Sequence, residues 1–249
     1  MPITPLILKA SIVILVSAIL QASTGFGFSI LSTPFLLSFF PARDAIQISL
    51  LFTLLISLGM LRSTYSEIDK VLLKRLSWSS IVGIPCGIVV FWLISLIWIK
   101  WLLAVAILGS TLFLVLQRQI ARSRRKDVIA GFLSGLLTTS VGVPGPPLLI
   151  YMTGSSMDKA IVRSTTLTFY IVVYSVGIIS EWVTGGFTAH LLATTIFLLP
   201  SMFLGIWIGK YVFLRFTPVV FRRTQLAILL FTGLYLLFSI LSSTFAAAA

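Results

Sequence analysis

The chain reads as an all-α polytopic membrane protein, and three features predict that class. Apolar runs of roughly 20 residues, the length that crosses a hydrocarbon core, recur from one end to the other. Only 10% of the 249 residues are charged while 58% are hydrophobic, where a soluble domain carries about 25% charged residues. The basic residues gather in short loops between the runs, as the positive-inside rule expects. Within this class the chain is expected to form one transmembrane domain over 1–249 built from two inverted structural repeats, near 4–117 and 127–243. About 8–10 transmembrane segments are expected, including broken or re-entrant helices at two Gly/Pro motifs.

The first run, near 4–22, has only Lys9 as a basic flank and leads into a glycine motif rather than a cleavage site. It is therefore expected to remain as a helix and not to be removed as a signal. It ends at Ser23-Thr24-Gly25-Phe26-Gly27-Phe28-Ser29, where two glycines interrupt the helical pattern. The run near 27–40 would reach about 20 Å, short of a core of about 30 Å. Runs near 44–61, 76–96 and 98–117 are long enough to cross. The run near 127–140 leads into Thr138-Thr139-Ser140-Val141-Gly142-Val143-Pro144-Gly145-Pro146-Pro147. A continuous helix there would lose hydrogen bonds and clash at each proline. The next run, near 145–153, is again too short, and runs near 158–180, 188–209 and 224–243 complete the chain. In lipid an unpaired peptide group costs several kcal/mol, so broken backbone survives only inside protein or against a wet cavity. Two helix breaks, one per half, point to a transporter binding site.

Three loops fix the orientation. Arg62, Lys70, Lys74 and Arg75 lie in the first, Arg118, Arg122, Arg124, Arg125 and Lys126 in the second, and Lys210, Arg215, Arg222 and Arg223 in the third. These loops are expected to face the cytoplasm. The loops near Lys100 and Glu181, and both termini, are then external. The third and eighth segments cross in opposite senses. The net charge of +12 is thereby explained without nucleic acid.

At an offset of 115 residues the halves align. Ser23-Thr24-Gly25-Phe26-Gly27-Phe28 falls on Thr138-Thr139-Ser140-Val141-Gly142-Val143, and Arg43-Asp44-Ala45-Ile46-Gln47-Ile48-Ser49 on Asp158-Lys159-Ala160-Ile161-Val162-Arg163-Ser164. Gly83-xxx-Gly87 and Gly205-xxx-Gly209 correspond at an offset of 122. Small residues four apart are expected to let helices approach closely. The sole cysteine, Cys86, is expected to be buried and inert.

On these residues the chain resembles the TauE/SafE family, the sulfite exporter-like or toluene-sulfonate uptake permease group. The family pattern, a Gly-rich break, a short apolar stretch ending in Pro and an Ala at the next helix start, occurs once per half. The first copy is Gly25-Phe26-Gly27-Phe28-Ser29-Ile30-Leu31-Ser32-Thr33-Pro34, then Ala45. The second is Gly131-xxx-Gly135, then Gly142-Val143-Pro144-Gly145-Pro146-Pro147, then Ala160. Phe28, Pro144 and Arg163 depart from the residues usual in that pattern. The resemblance implies transport of sulfur-containing anions: sulfite, sulfoacetate or other organosulfonates.

A helix that starts inside the membrane presents unpaired N–H groups and a positive dipole end, which is an anion site. Candidate substrate-binding residues are Thr24, Gly25, Phe26, Gly27 and Ser29 at the first break and Thr139, Ser140, Gly142 and Val143 at the second, with hydroxyls also on Ser23 and Thr138. The bland alternative is that these hydroxyls cap broken helices or back-bond to carbonyls. Gln47 and Arg163 extend the set. Arg163, about five residues inside the eighth segment, either grips an oxyanion in bidentate fashion or snorkels to the headgroups. Gln47, Ser49, Ser164 and Thr165 sit at helix starts and either line the cavity or bond between helices. Asp44 and Asp158 read as helix caps. Glu181 reads as solvated. His190 has a titration range suited to a proton role, but it is similarly placed near an external helix end.

The function expected is a secondary transporter working by alternating access in the cell membrane, specifically a bacterial inner membrane. The alternatives are an anion channel or a transporter of another small organic anion. No Walker pattern is present. One His and one Cys, with no acidic pair in a span, argue against an intramembrane enzyme, a haem or a metal site, and no cofactor is expected. The expected partners are the small anion (sulfonate or sulfite), the lipid bilayer, a proton or sodium ion for coupling, and a second copy of the chain as a homodimer; nucleic acid is not among them.

Overall fold

A computed structural model describes residues 5–116, 119–155, 157–215 and 217–248. Arg118 and Ala249, the side chain of Arg222, and the first residue of the run near 4–22 lie outside the described residues. Among the described residues ten α-helices run in order: α1 (Pro5–Thr24), α2 (Phe28–Leu36), α3 (Ala42–Thr64), α4 (Lys70–Leu93), α5 (Leu96–Val115), α6 (Arg124–Val141), α7 (Gly145–Gly154), α8 (Lys159–Gly185), α9 (Ala189–Arg215) and α10 (Pro218–Ala248). A 3-10 turn, Tyr65–Glu67, links α3 to α4. Among the described residues there is no strand, and six helices are long and apolar enough to cross a membrane.

The helices outrun the apolar segments at several ends because polar residues finish them. Asp69 caps α4 by accepting from the Leu72 N–H at 3.0 Å. Ser123 caps α6 through Lys126 N–H, and Asp158 caps α8 through Ala160 N–H at 2.8 Å. Asp44 caps nothing: it lies in the first turn of α3, whose N-cap is Pro41. Its charge instead complements the positive end of the helix dipole.

Close helix pairs form where side chains vanish. A Cβ on Gly83 or Gly87 would run into the α6 backbone at Phe132 and Leu136. One on Gly131 or Gly135 would run into α4 at Leu76 and Ser80. Gly205 and Gly209 of α9 meet Ala18 and Ala22 of α1 in the same manner, at 2.6 Å from a Cβ position. The two GxxxG pairs are thus packing devices, as small residues in membranes usually are.

The packing pattern maps onto itself when the halves are exchanged. α1 packs on α9 and α6 on α4; α1 touches α2 as α6 touches α7; α5 touches α7 as α10 touches α2; α3 pairs with α8, and α5 with α10. α3 and α8 run antiparallel. Arg43 at the start of α3 meets Glu181 near the end of α8. Beyond the other end of α3, the Glu67 carbonyl and the Asp69 N–H bond Ser164 and Thr165 of α8. Two expectations change here. Cys86 is exposed, because α4 turns Gly83 and Gly87, not Cys86, toward α6. Glu181 is buried rather than solvated, because Arg43 and Gln47 supply its partners.

Candidate functional site

α1 ends at Thr24 and α2 begins at Phe28. Between them Gly25 (φ 87) and Gly27 (φ 114) take left-handed conformations that side chains disfavour. Gly25 is required twice over, since a Cβ there would stand 2.7 Å from the Arg163 Cα. The Thr24 hydroxyl donates to Leu20 O at 2.7 Å, lies against Phe26 O, and is 3.4 Å from the Phe26 N–H. Ser23 back-bonds to Ile19 O at 2.7 Å. Both hydroxyls therefore close the helix end, and Phe26 is buried beside them.

The second break closes itself. Gly142 (φ 76) donates to Thr138 O, the single bond of an αL cap, and Val143 N–H donates to Leu137 O, each at 3.0 Å. Thr138 and Ser140 back-bond to Ser134 O and Leu136 O. Thr139 reaches across to Ile84 O of α4 at 2.8 Å.

The expected site residues fall into three groups. Ser29, Gly142 and the start of α7 come together around two tyrosines of α8. The Tyr174 hydroxyl donates to Ser29 Oγ at 2.9 Å and faces Gly142 O at 3.5 Å, and the Tyr170 hydroxyl lies against Gly145. This junction is roughly midway along α8. Val143 is buried nearby in sequence but is engaged by its backbone.

Arg163 sits at the other end of the first break with Thr24 and Gly25. It neither snorkels nor faces solvent: its Nε and Nη2 donate to Ala22 O at 3.0 and 2.6 Å, and it is 6% exposed. A guanidinium on a last-turn carbonyl of α1 complements the negative end of that helix.

Gln47 belongs to a third group. Its Nε2 donates to Glu181 Oε2 at 2.9 Å and to Gly186 O at 3.2 Å. Arg43 Nε meets the same carboxylate oxygen at 3.2 Å. Thr139 lines a small crevice beside this cluster with Arg43, Glu181 and Thr184. Ser49 stays between helices, bonding Ser32 and Thr33 of α2.

Sequence reasoning overlooked Tyr170 and Tyr174. The available signal was the spacing Arg163, Thr166, Tyr170, Tyr174, Gly177, Glu181, which sets one buried stripe along α8. A cavity of about 450 Å³ between α5, α6 and α7 lies elsewhere. Val105, Ile129 and Leu133, exposed apolar side chains, line it. Its lining suits a lipid tail better than an anion. Among the described residues no cluster of His, Cys, Asp and Glu could hold a metal ion.

At the end of α7, Tyr151 and Arg75 hold Asp127, Arg75 at 2.8 Å. Arg122 pairs with Asp69 at 2.7 Å. Burial pushes the Asp69 carboxyl up, but the Leu72 N–H and Arg122 outweigh it and hold the group below its ordinary value.

Compared with models of known families, residues 10–236 match the one described as Sulfite exporter TauE/SafE. Neither the curated proteins nor the solved structures give a match.

Proposed function

We propose, on the premise that the chain belongs to the sulfite exporter TauE/SafE family, that it is a secondary transporter of small sulfur-containing anions. Its substrates are organosulfonates such as sulfoacetate, or sulfite, carried across the cell membrane by alternating access. The observation that carries this reading is the meeting of two interrupted helices. α2 and α7, each too short to cross a core of about 30 Å, begin beside one another in buried surroundings, with Gly145 against Ile30, and Tyr174 ties Ser29 of α2 to Gly142 O at the end of α6.

A helix start there attracts an anion without a paired cation. The exchange-symmetric packing and the antiparallel α3–α8 pair support two inverted halves that rock about this junction. α2 and α7 would then be re-entrant, with both termini external and the basic loops cytoplasmic. A proton or sodium gradient, or the membrane potential acting on the anion, would drive the cycle.

The test is electrogenic uptake by proteoliposomes on a solid support. Sulfite, sulfoacetate, isethionate, taurine, sulfate and acetate would be compared with and without a proton gradient, with radiolabel counterflow alongside. Saturable currents and counterflow restricted to sulfonates or sulfite are expected. Currents without counterflow would indicate a channel. Silence in both assays, in folded and inserted protein, would refute the substrate class.

A further inference from the structure

We infer that the Tyr170 hydroxyl is the side-chain donor to a singly charged oxyanion, such as a sulfonate or hydrogen sulfite, seated at the start of α7. The inference rests on the transporter reading above and deepens it.

A helix start binds anions through its dipole and through the N–H groups that lack intrahelical acceptors, those of the N-cap and the first three helical residues. In α7 these positions are Pro144, Gly145, Pro146 and Pro147. Proline has no N–H, so only Gly145 retains a donor. The dipole remains while three of the four donors are gone. An oxyanion there would have several acceptor oxygens and one backbone N–H.

Tyr170 supplies what the prolines remove. It is 1% exposed, and its hydroxyl has no hydrogen-bond partner among the described residues. That hydroxyl lies 3.0 Å from the position a Cβ would take on Gly145, with Ile30 Cδ1 of α2 also at 3.0 Å. Tyr174, one turn on, differs: its hydroxyl is engaged by Ser29. Buried phenols normally find a partner, and phenylalanine would fill nearly the same volume without leaving a donor unmet.

Gly145 keeps the backbone close enough for its N–H and the phenol O–H to converge on one oxygen set. Ile30 and Gly145 close over the hydroxyl, so the anion is admitted when α2 and α7 part, the motion alternating access requires. A neutral donor and a helix dipole compensate one buried charge better than two, because the cost of desolvating an ion rises steeply with its charge. The site should therefore discriminate against sulfate.

The test is Tyr170→Phe in the purified full chain, with Kd for isethionate and for sulfite, the latter at mildly acidic pH where hydrogen sulfite predominates, measured by calorimetry and by ligand-dependent melting. The expected result is binding about tenfold weaker, the size of one hydrogen bond to a charged group, with the ligand-free melting temperature unchanged or raised. Sulfate should bind the unmodified chain at least about tenfold more weakly than isethionate, a sulfonate with a single charge.

If the unmodified chain binds either probe and Tyr170→Phe binds it equally well, the assignment is overturned and the transporter reading stands. A clear fall in ligand-free melting temperature would show the hydroxyl to be spent on the fold and would also overturn it. Gly145→Ala sets a methyl group against the same hydroxyl and provides an independent check: weakened binding is expected, and unchanged binding counts against the site. If the unmodified chain binds neither probe and shows no counterflow, the transporter reading falls and this inference falls with it.

Discussion

Replacing Arg163 with alanine separates the ligand role that the sequence suggests from the helix-capping role that the structure shows. The guanidinium donates twice to the Ala22 carbonyl, at 3.0 and 2.6 Å, at the last turn of α1. Both bonds share one acceptor, so they count together as one charge-assisted interaction worth about 1.5–3 kcal/mol. The favourable position at the helix C-terminus adds up to about 2 kcal/mol in partly buried geometry. Against this, alanine removes a cation that had been desolvated. The balance is a destabilisation of about 3 kcal/mol.

For a chain of this size that corresponds to a fall in melting temperature of about 6–12 °C. Arg163→Lys keeps the charge but loses the planar fork, so it should recover only part of the loss. The assay is thermal unfolding in one detergent, paired with sulfoacetate affinity. If Arg163→Ala melts within about 1 °C of the parent while affinity collapses, the capping argument is wrong and Arg163 is a ligand. If stability falls and the affinity of the remaining folded protein is unchanged, the cap is its main role.

Three further outcomes follow from the same geometry. Gly83→Ala puts a methyl group into the Phe132 carbonyl of α6 and should cost about 1–3 kcal/mol, read as a lower melting temperature, with Gly109→Ala, where nothing crowds a Cβ, as the neutral control. Asp69 titrates below its ordinary value when folded, so the folded state binds fewer protons there and stability rises with pH through that window. The contribution of its cap and ion pair is present above the unfolded carboxylate pKa, near about 3.9. It is lost as pH falls through the lowered folded value; Asp69→Asn should flatten that limb of melting temperature against pH. In a double-mutant cycle, Arg43→Gln and Glu181→Gln should couple by about 1 kcal/mol. Arg43 is 32% exposed and solvent screens part of the attraction; additive effects would refute a functioning pair.

The helical class and both breaks were legible because they depend on local chemistry: apolar length, glycine conformation and proline's missing donor. Packing of Gly83, Gly87, Gly205 and Gly209 was legible for the same reason, since small residues at a fixed spacing have few other uses in lipid. What each polar side chain does was not legible, because partners lie far along the chain. Gln47 and Glu181 are 134 residues apart, and Arg163 and Ala22 are 141 apart. Nothing near Glu181 in sequence says that Arg43 and Gln47 will bury it. Hydroxyls gathered at a break read equally as ligands or as caps. Those of Ser23, Thr24, Thr138 and Ser140 prove to be engaged by carbonyls of their own helices, leaving Ser29 and the unexpected tyrosines at the junction.

The two breaks align in sequence yet solve the same problem differently, and the difference bears on how an anion would be held. The end of α6 satisfies its own carbonyls through Gly142 and Val143. The end of α1 borrows Arg163 from the other half of the chain, where the aligned residue is Ile48. At the starts the asymmetry reverses. α2 opens with Gly27, Phe28, Ser29 and Ile30, all carrying N–H groups, whereas α7 opens with three prolines around one glycine. The first break therefore has backbone donors and a nearby cation. The second has a bare dipole completed by a phenol. An anion passing between them would exchange a donor-rich partner for a donor-poor one. Substitutions at the two breaks should accordingly differ in effect even where the sequences correspond: Ser29→Ala removes the acceptor of the Tyr174 hydroxyl, while at its aligned position Pro144 has no side-chain group to lose.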